Sequence, residues 1–235
     1  MNIATTTDAD IVLLPGRAAL LPASRTLLVA DLHLGKAATF RRAGLPVPEG
    51  TAQRDLARLE RLASRHAVRR LLILGDLFHA RGGFTEQVKN EFAATRSRMQ
   101  GIEVVLVLGN HDRPLGKLMA SLGIDAIVPA LDEPPLHFTH EPATGIAPAH
   151  RDVFTIAGHL HPTLSIRSPS GDRLADRCFC AEESVLVLPA FGSFTGGHRV
   201  EPREGTRLWI ARDDGVADVT RLAMLAEKKV SGLFS

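Results

Sequence analysis

Short, unbroken apolar runs punctuate the first half of the chain. Residues 26–30, 71–74 and 104–108 are each long enough for a buried strand, and each ends in a polar cluster. Between the first two runs, residues 51–66 carry Leu56, Leu59 and Leu62, with Ala52 and Ala63, at helical spacing behind Gly50 and Thr51. Between the second and third, residues 85–99 repeat the device with Val88, Phe92 and Met99, and Thr85 followed by Glu86 reads as a helix start. The alternation predicts parallel strands joined by right-handed crossovers, a topology that binds ligands beyond the carboxyl ends of its strands.

The second half changes character. Residues 136–139, 153–157, 163–167, 185–188, 207–211 and 216–220 are short extended runs separated by turn residues. Together the halves predict an α/β fold of two packed sheets with helices outside. No Gly/Ser/Pro-rich linker divides the chain, so residues 1–220 read as one domain and residues 221–235 as a tail, either a short helix or frayed.

Composition narrows the function classes. A net charge of +2 and a pI of about 8.8 permit an anionic substrate without the strongly basic balance that by itself would indicate nucleic acid. No signal-like N-terminus and no bilayer-spanning apolar run are present, which predicts a cytoplasmic protein with no membrane partner. The only cysteines, Cys178 and Cys180, flank Phe179 and would share one face of a strand. They exclude a disulfide framework, and no second Cys/His pair gives them structural-zinc spacing.

The polar clusters at the predicted strand ends carry the chemistry. Asp31 and His33 follow the first run, Gly75-Asp76 the second, and Gly109-Asn110-His111-Asp112 the third; His140 ends a later run, and His159 and His161 end another. Phosphate-ester hydrolysis near neutral pH needs a nucleophile, which a divalent ion supplies by lowering the pKa of bound water, and positive charge over the phosphoryl oxygens. Carboxylate, imidazole and amide ligands without thiolate suit such ions. In an extended segment, alternate residues aim the same way, so Asp31 with His33, and His159 with His161, can each chelate. One metal is assigned to Asp31, His33 and His161, the other to Asn110, His140 and His159, with Asp76 bridging. The glycines before Asp76, Asn110 and His159 let the backbone turn tightly beneath the ions. His111 is left over beside a ligand, placing it to stabilise the phosphoryl oxygen or protonate the departing alkoxide, and Asp112 is expected to orient it. Lys36, Arg41, Arg42 and Arg199 are candidate substrate-binding cations. Phe40, Phe78, Phe191 and Phe194 are candidate stacking rings, at least half of them expected in the core. His79 is a candidate substrate contact or surface hydrogen-bonding residue, whereas His66, His137, His150 and His198 read as ordinary histidines.

The order Asp-x-His, Gly-Asp, Gly-Asn-His-Asp, His, Gly-His-x-His resembles the calcineurin-like metallophosphoesterase superfamily. Asp31, His33, Asp76, Asn110, His111, His140, His159 and His161 fill its places, and Thr139 stands where a Gly usually precedes the isolated His. The resemblance implies an αββα two-sheet sandwich flanked by helices. More narrowly, DLHLGK at 31–36, FRRAGLPVPEG at 40–50 and LPAFGSFTGG at 188–197 resemble the bacterial ligase-associated DNA damage response phosphoesterases. That implies a manganese-dependent endonuclease acting on single-stranded DNA alongside a DNA ligase, a helicase and a nuclease; the ligand types suit iron or zinc as well. Two other readings stand beside it. One is a small-molecule enzyme, either a nucleotide phosphodiesterase or a pyrophosphatase resembling UDP-2,3-diacylglucosamine hydrolase, which the Gly75-Asp-Leu-Phe78 segment also resembles. No long apolar insertion is present to hold acyl chains. The other is a non-catalytic scaffold of a repair complex, against which the complete ligand set speaks.

Overall fold

The computed structural model describes residues 2–3, 10–142, 153–167, 173–212 and 214–231. A seven-stranded sheet holds, in spatial order, β1 (Asn2–Ile3), β2 (Ile11–Leu14), β3 (Ala18–Leu21), β4 (Thr26–Val29), β5 (Arg70–Leu74), β6 (Glu103–Val107) and β7 (Ala126–Val128). The strands are antiparallel from β1 to β4 and parallel from β4 to β7. The crossovers carry α1 (Lys36–Arg42) and α2 (Thr51–Arg65) between β4 and β5, α3 (Glu86–Arg98) between β5 and β6, and a 3-10 segment, Arg113–Leu122, between β6 and β7.

A second sheet contains β8 (Leu131–Glu133), β9 (Leu136–Phe138), β10 (Phe154–Ala157), β11 (Pro162–Arg167), β12 (Arg173–Glu182), β13 (Val185–Val187), β14 (His198–Arg199), β15 (Arg207–Ala211) and β16 (Val216–Asp218). Its main path runs β14-β11-β12-β13-β10-β9-β8, with β15 on β12 and β16 on β15. A C-terminal helix, α4 (Thr220–Ser231), follows.

Three apolar layers explain why the early strands read as unbroken hydrophobic runs. Leu27 and Val29, Leu71 and Ile73, and Val104 and Leu106 face α2 and α3. Their neighbours Leu28, Leu72, Leu74, Val105 and Val107 face Phe138, Ile156, Phe179 and Trp209 of the second sheet. With both faces covered, the period-two alternation of the backbone leaves no position for a polar residue. The third layer lies under α4: Ala223 packs with Leu164, Cys178, Leu208 and Ile210. Cys178 and Cys180 therefore do share a face of β12, and burial pushes the Cys180 thiol up to about 12. They are free thiols in an apolar layer, far from forming thiolates at neutral pH. The fold is the two-sheet αββα sandwich.

The helices begin as their sequences predict. Thr85 caps α3 by accepting the Val88 N–H at 3.3 Å, and α2 buries Leu56, Leu59, Leu62 and Ala63. α1 has no buried residue, so it left no amphipathic signature. The β2–β3 hairpin also escapes the apolar-run reading, because Pro15 and Gly16 split it into two four-residue strands.

Candidate metal centre

Five strands, β4, β5, β6, β9 and β10, deliver their polar clusters to the same end of the sandwich. Asp31 and His33 leave β4, Asp76 leaves β5, Asn110 and His111 follow β6, His140 follows β9, and His159 and His161 lie between β10 and β11. The turns are stitched together by main-chain bonds. Asp31 N–H donates to Gly75 O at 3.1 Å, His33 N–H to Asp76 O at 2.8 Å, and Gly158 N–H to His140 O at 3.1 Å.

All seven proposed ligands converge. His161 Nε2 lies 3.3 Å from Asp31 Oδ1 and 3.3 Å from His33 Nε2. His140 Nε2 lies 3.0 Å from Asn110 Oδ1 and 3.1 Å from His159 Nδ1. Between these groups stands Asp76, whose Oδ2 is 3.7 Å from His33 Nε2 and 3.5 Å from His140 Nε2. The two trios Asp31, His33, His161 and Asp31, Asp76, His140 each present donor atoms within 4.8 Å of one another.

The chemistry of the donor set fits cations. Asp31 is fully buried, and its Oδ1 has no hydrogen-bond partner although it faces His161. A buried, unpaired carboxylate oxygen is costly unless a positive charge satisfies it. Burial, with His161 and Lys36 adding to it, pushes the His33 pKa down to about 2, so its ring is neutral and able to ligate. Burial raises the Asp76 pKa against the pull of His140 and the His111 N–H, which marks a carboxylate short of positive partners.

The proposed ligand pairs do not lie on extended segments. Asp31 (φ 54°), His33 (47°), Asp76 (48°), His159 (68°) and His161 (46°) all occupy the left-handed region. That conformation costs a non-glycine residue about 1 kcal/mol each. Both members of Asp-x-His and His-x-His instead turn inward around one buried or rim residue, Leu32 or Leu160. The strain is concentrated where side chains must converge on a point that an extended strand would pass.

Close approach explains two of the glycines. A Cβ on Gly109 would stand 2.1 Å from Asp76 Oδ1 and 2.3 Å from Asp76 N. At Gly75, which also has φ 78°, a Cβ would stand 2.1 Å from His140 Nδ1.

Asp112 does not orient His111. Its carboxylate, fully buried, accepts N–H groups from Leu77 at 3.3 Å, Phe78 at 3.2 Å and Gly109 at 3.2 Å, bracing the β5 turn against the β6 turn. Burial nevertheless lifts its pKa to about 6. Asp112→Ala should therefore lower stability by about 3 kcal/mol, since three buried donors lose their acceptor. Denaturant unfolding measures this; a change within about 0.5 kcal/mol would show that the brace is dispensable. His111 is held instead by its own backbone, whose N–H donates to Asp76 Oδ1 at 2.9 Å. Its ring stacks on His79, with centroids 5.1 Å apart. His79 thus belongs to the centre's wall, where burial and then Lys36 lower its pKa to about 4.

Of the four candidate cations, Lys36 is half-buried and faces the centre. Burial and Arg177 lower its pKa while Asp76 and Asp31 raise it. Arg41 donates to Pro48 O at 3.1 Å, Arg42 is exposed on α1, and Arg199 is exposed on β14, which pairs with β11 directly beyond His161. Phe78 and Phe191 are core residues, whereas Phe40 and Phe194 are partly exposed. His137 binds Asp132 at 2.6 Å, and His150 lies outside the described residues.

A clamp behind the centre was not foreseen. Buried Asp55 on α2 accepts Ser193 N–H at 2.7 Å and Ser193 O–H at 2.5 Å, and Arg177 donates to Ser193 O at 2.9 Å and Thr195 O at 2.7 Å. The fastened loop reaches Asp31, whose carbonyl accepts the Gly192 N–H at 3.1 Å. A carboxylate beside Leu56 and Leu59 on the inward face of a helix was the available signal.

A family model described as calcineurin-like phosphoesterase matches residues 24–185. Among solved structures, the chain is similar to the crystal structure of the Pseudomonas putida nuclease MPE, with a TM-score of 0.76 and 35% identity, over 93% of this chain and 98% of that one. No curated protein compared with the chain matches it.

Proposed function

Because the chain belongs to the calcineurin-like phosphoesterase family, we propose that it is a two-metal phosphodiesterase that cuts single-stranded DNA. The observation that carries this reading is the sharing of Asp76 between two groups of ligands, 3.7 Å from His33 on one side and 3.5 Å from His140 on the other. In this reading Asp31, His33 and His161 would hold one cation and Asn110, His140 and His159 the second, with the Asp76 carboxylate placed to serve both. Two carboxylates leave a pair of dications net positive, which favours a phosphodiester anion. When bound, the cations lower the pKa of water and offset the charge that develops on the phosphoryl oxygens.

The chain's own residues do the rest. His111 stands at the open edge of the ligand cluster, its side chain 37% exposed and its Nε2 4.0 Å from Asp76 Oδ2. From there the ring can hold a non-bridging oxygen or pass a proton to the leaving alkoxide. The Asp76 carboxylate fixes the His111 backbone, and Lys36 adds positive charge at the rim. The likeness to a nuclease supports a nucleic-acid substrate. Manganese as the metal, a cytoplasmic location, and action beside a DNA ligase, a helicase and a nuclease complete the proposal. Among the described residues no helix is long and apolar enough to cross a membrane.

The test is a metal-dependent cleavage screen. Chelator-stripped protein should lose at least about a hundredfold in rate on single-stranded DNA and recover it with manganese. Duplex DNA and a small phosphodiester serve as comparisons. Activity that survives stripping sinks the metal reading, and hydrolysis of the small diester without any cleavage of DNA sinks the nuclease reading.

A further inference from the structure

The ring stacked against His111 begins a row that leads out of the centre. His111 lies on His79 with planes 28° apart, His79 meets Phe40 at 6.4 Å and 45°, and Phe40 meets Phe194 edge to face at 5.4 Å. All four residues are partly exposed. Neither phenylalanine joins any of the three buried layers, in contrast to Phe78 and Phe191.

Both rings are carried by segments held from behind. Phe40 belongs to α1, a seven-residue helix that buries nothing. Its start is seated against the 3-10 turn Arg81–Gly83, so closely that a Cβ on Gly35 would lie 2.1 Å from Gly83 O. Phe194 belongs to the loop that Asp55 and Arg177 fasten. An aromatic pair presented at the surface on anchored backbone costs hydrophobic free energy that covering would recover. The same helix carries Lys36, Arg41 and Arg42. Aromatic faces interleaved with cations are what an unpaired nucleic-acid strand requires: rings for its bases, charge for its phosphates.

We propose that Phe40 and Phe194 form a stacking subsite for an unpaired nucleobase close to the phosphodiester that lies in the metal centre. The inference rests on the phosphodiesterase reading above and adds to it the place where a base is held. Such a subsite would favour single strands, because a base paired and stacked in a duplex offers neither face to a protein ring.

The experiment couples base to ring. End-labelled single strands, each with one abasic residue, are cut by the manganese-loaded protein, and the ladder is compared with that of the intact strand. In the wild type, cleavage at one fixed offset from the abasic residue should fall about tenfold. Phe40→Leu and Phe194→Leu should cut the intact strand about tenfold more slowly and show no additional abasic penalty, while Phe40→Trp should keep it. A general loss of structure would slow both strands equally and leave the ratio at its wild-type value. That unchanged ratio overturns the subsite, as does a wild type indifferent to the missing base. A wild type that cuts no strand overturns the nuclease reading and the subsite together.

Discussion

Asp76→Ala should lower phosphodiester hydrolysis by at least about a thousandfold and bring bound metal below the wild-type content. The size of the effect follows from how much one carboxylate does. Its Oδ2 lies within 3.5–4.0 Å of His140, His33 and His111 nitrogens, and its Oδ1 accepts the His111 N–H. Removing it takes a negative charge from between two sites that would both be cationic, and it frees the backbone of the residue proposed to serve the leaving group. Mutual repulsion of the remaining cations should then expel one. Elemental analysis beside steady-state kinetics reads both outcomes. An Asp76→Ala protein within tenfold of wild type at saturating manganese would remove Asp76 from the mechanism.

The second large effect comes from a residue with no side chain at all. Gly109→Ala puts a methyl group on the carboxylate and the backbone nitrogen of Asp76, and neither can retreat. Asp76 N lies on a turn whose carbonyl is bonded to His33, and its carboxylate is bonded to His111. The expected result is a loss of about a hundredfold or more in activity, with about 1–3 kcal/mol of destabilisation from overpacking. Gly215→Ala is the control, since a Cβ there meets nothing within 4 Å. Equal activity of the two variants would show that the approach of the β5 and β6 turns is slack.

The parallel strands β4, β5 and β6 and the helices α2 and α3 were legible because two-sided burial and amphipathic spacing both write themselves into side-chain type. The proposed ligands could be picked out as candidates for a different reason: a cluster of Asp, Asn and His at a strand end has few apolar alternatives. How those ligands converge was not legible. Left-handed φ at Asp31, His33 and Asp76 is imposed by neighbouring turns, and the modest tolerance of Asp and His for that region does not single out these positions. The role of Asp112 was misread because adjacency in sequence suggests contact with His111, whereas the side chain turns toward three main-chain donors. The Asp55 clamp joins residues 138 positions apart, a separation at which single-sequence patterns carry no information.

Four of the proposed ligands, Asp31, His33, Asp76 and Asn110, come from turns of the first sheet, and three, His140, His159 and His161, come from turns of the second. The sheets also meet through the apolar layer between them and through the ion pair of Arg70 on β5 with Glu133 on β8. Cations held in this way would be rivets that add to the fastening of the two layers. They would bind only the assembled sandwich, so the fold would gain stability in proportion to the logarithm of free metal. Supply of the ion in the cell would then govern how long the protein survives as well as how fast it works.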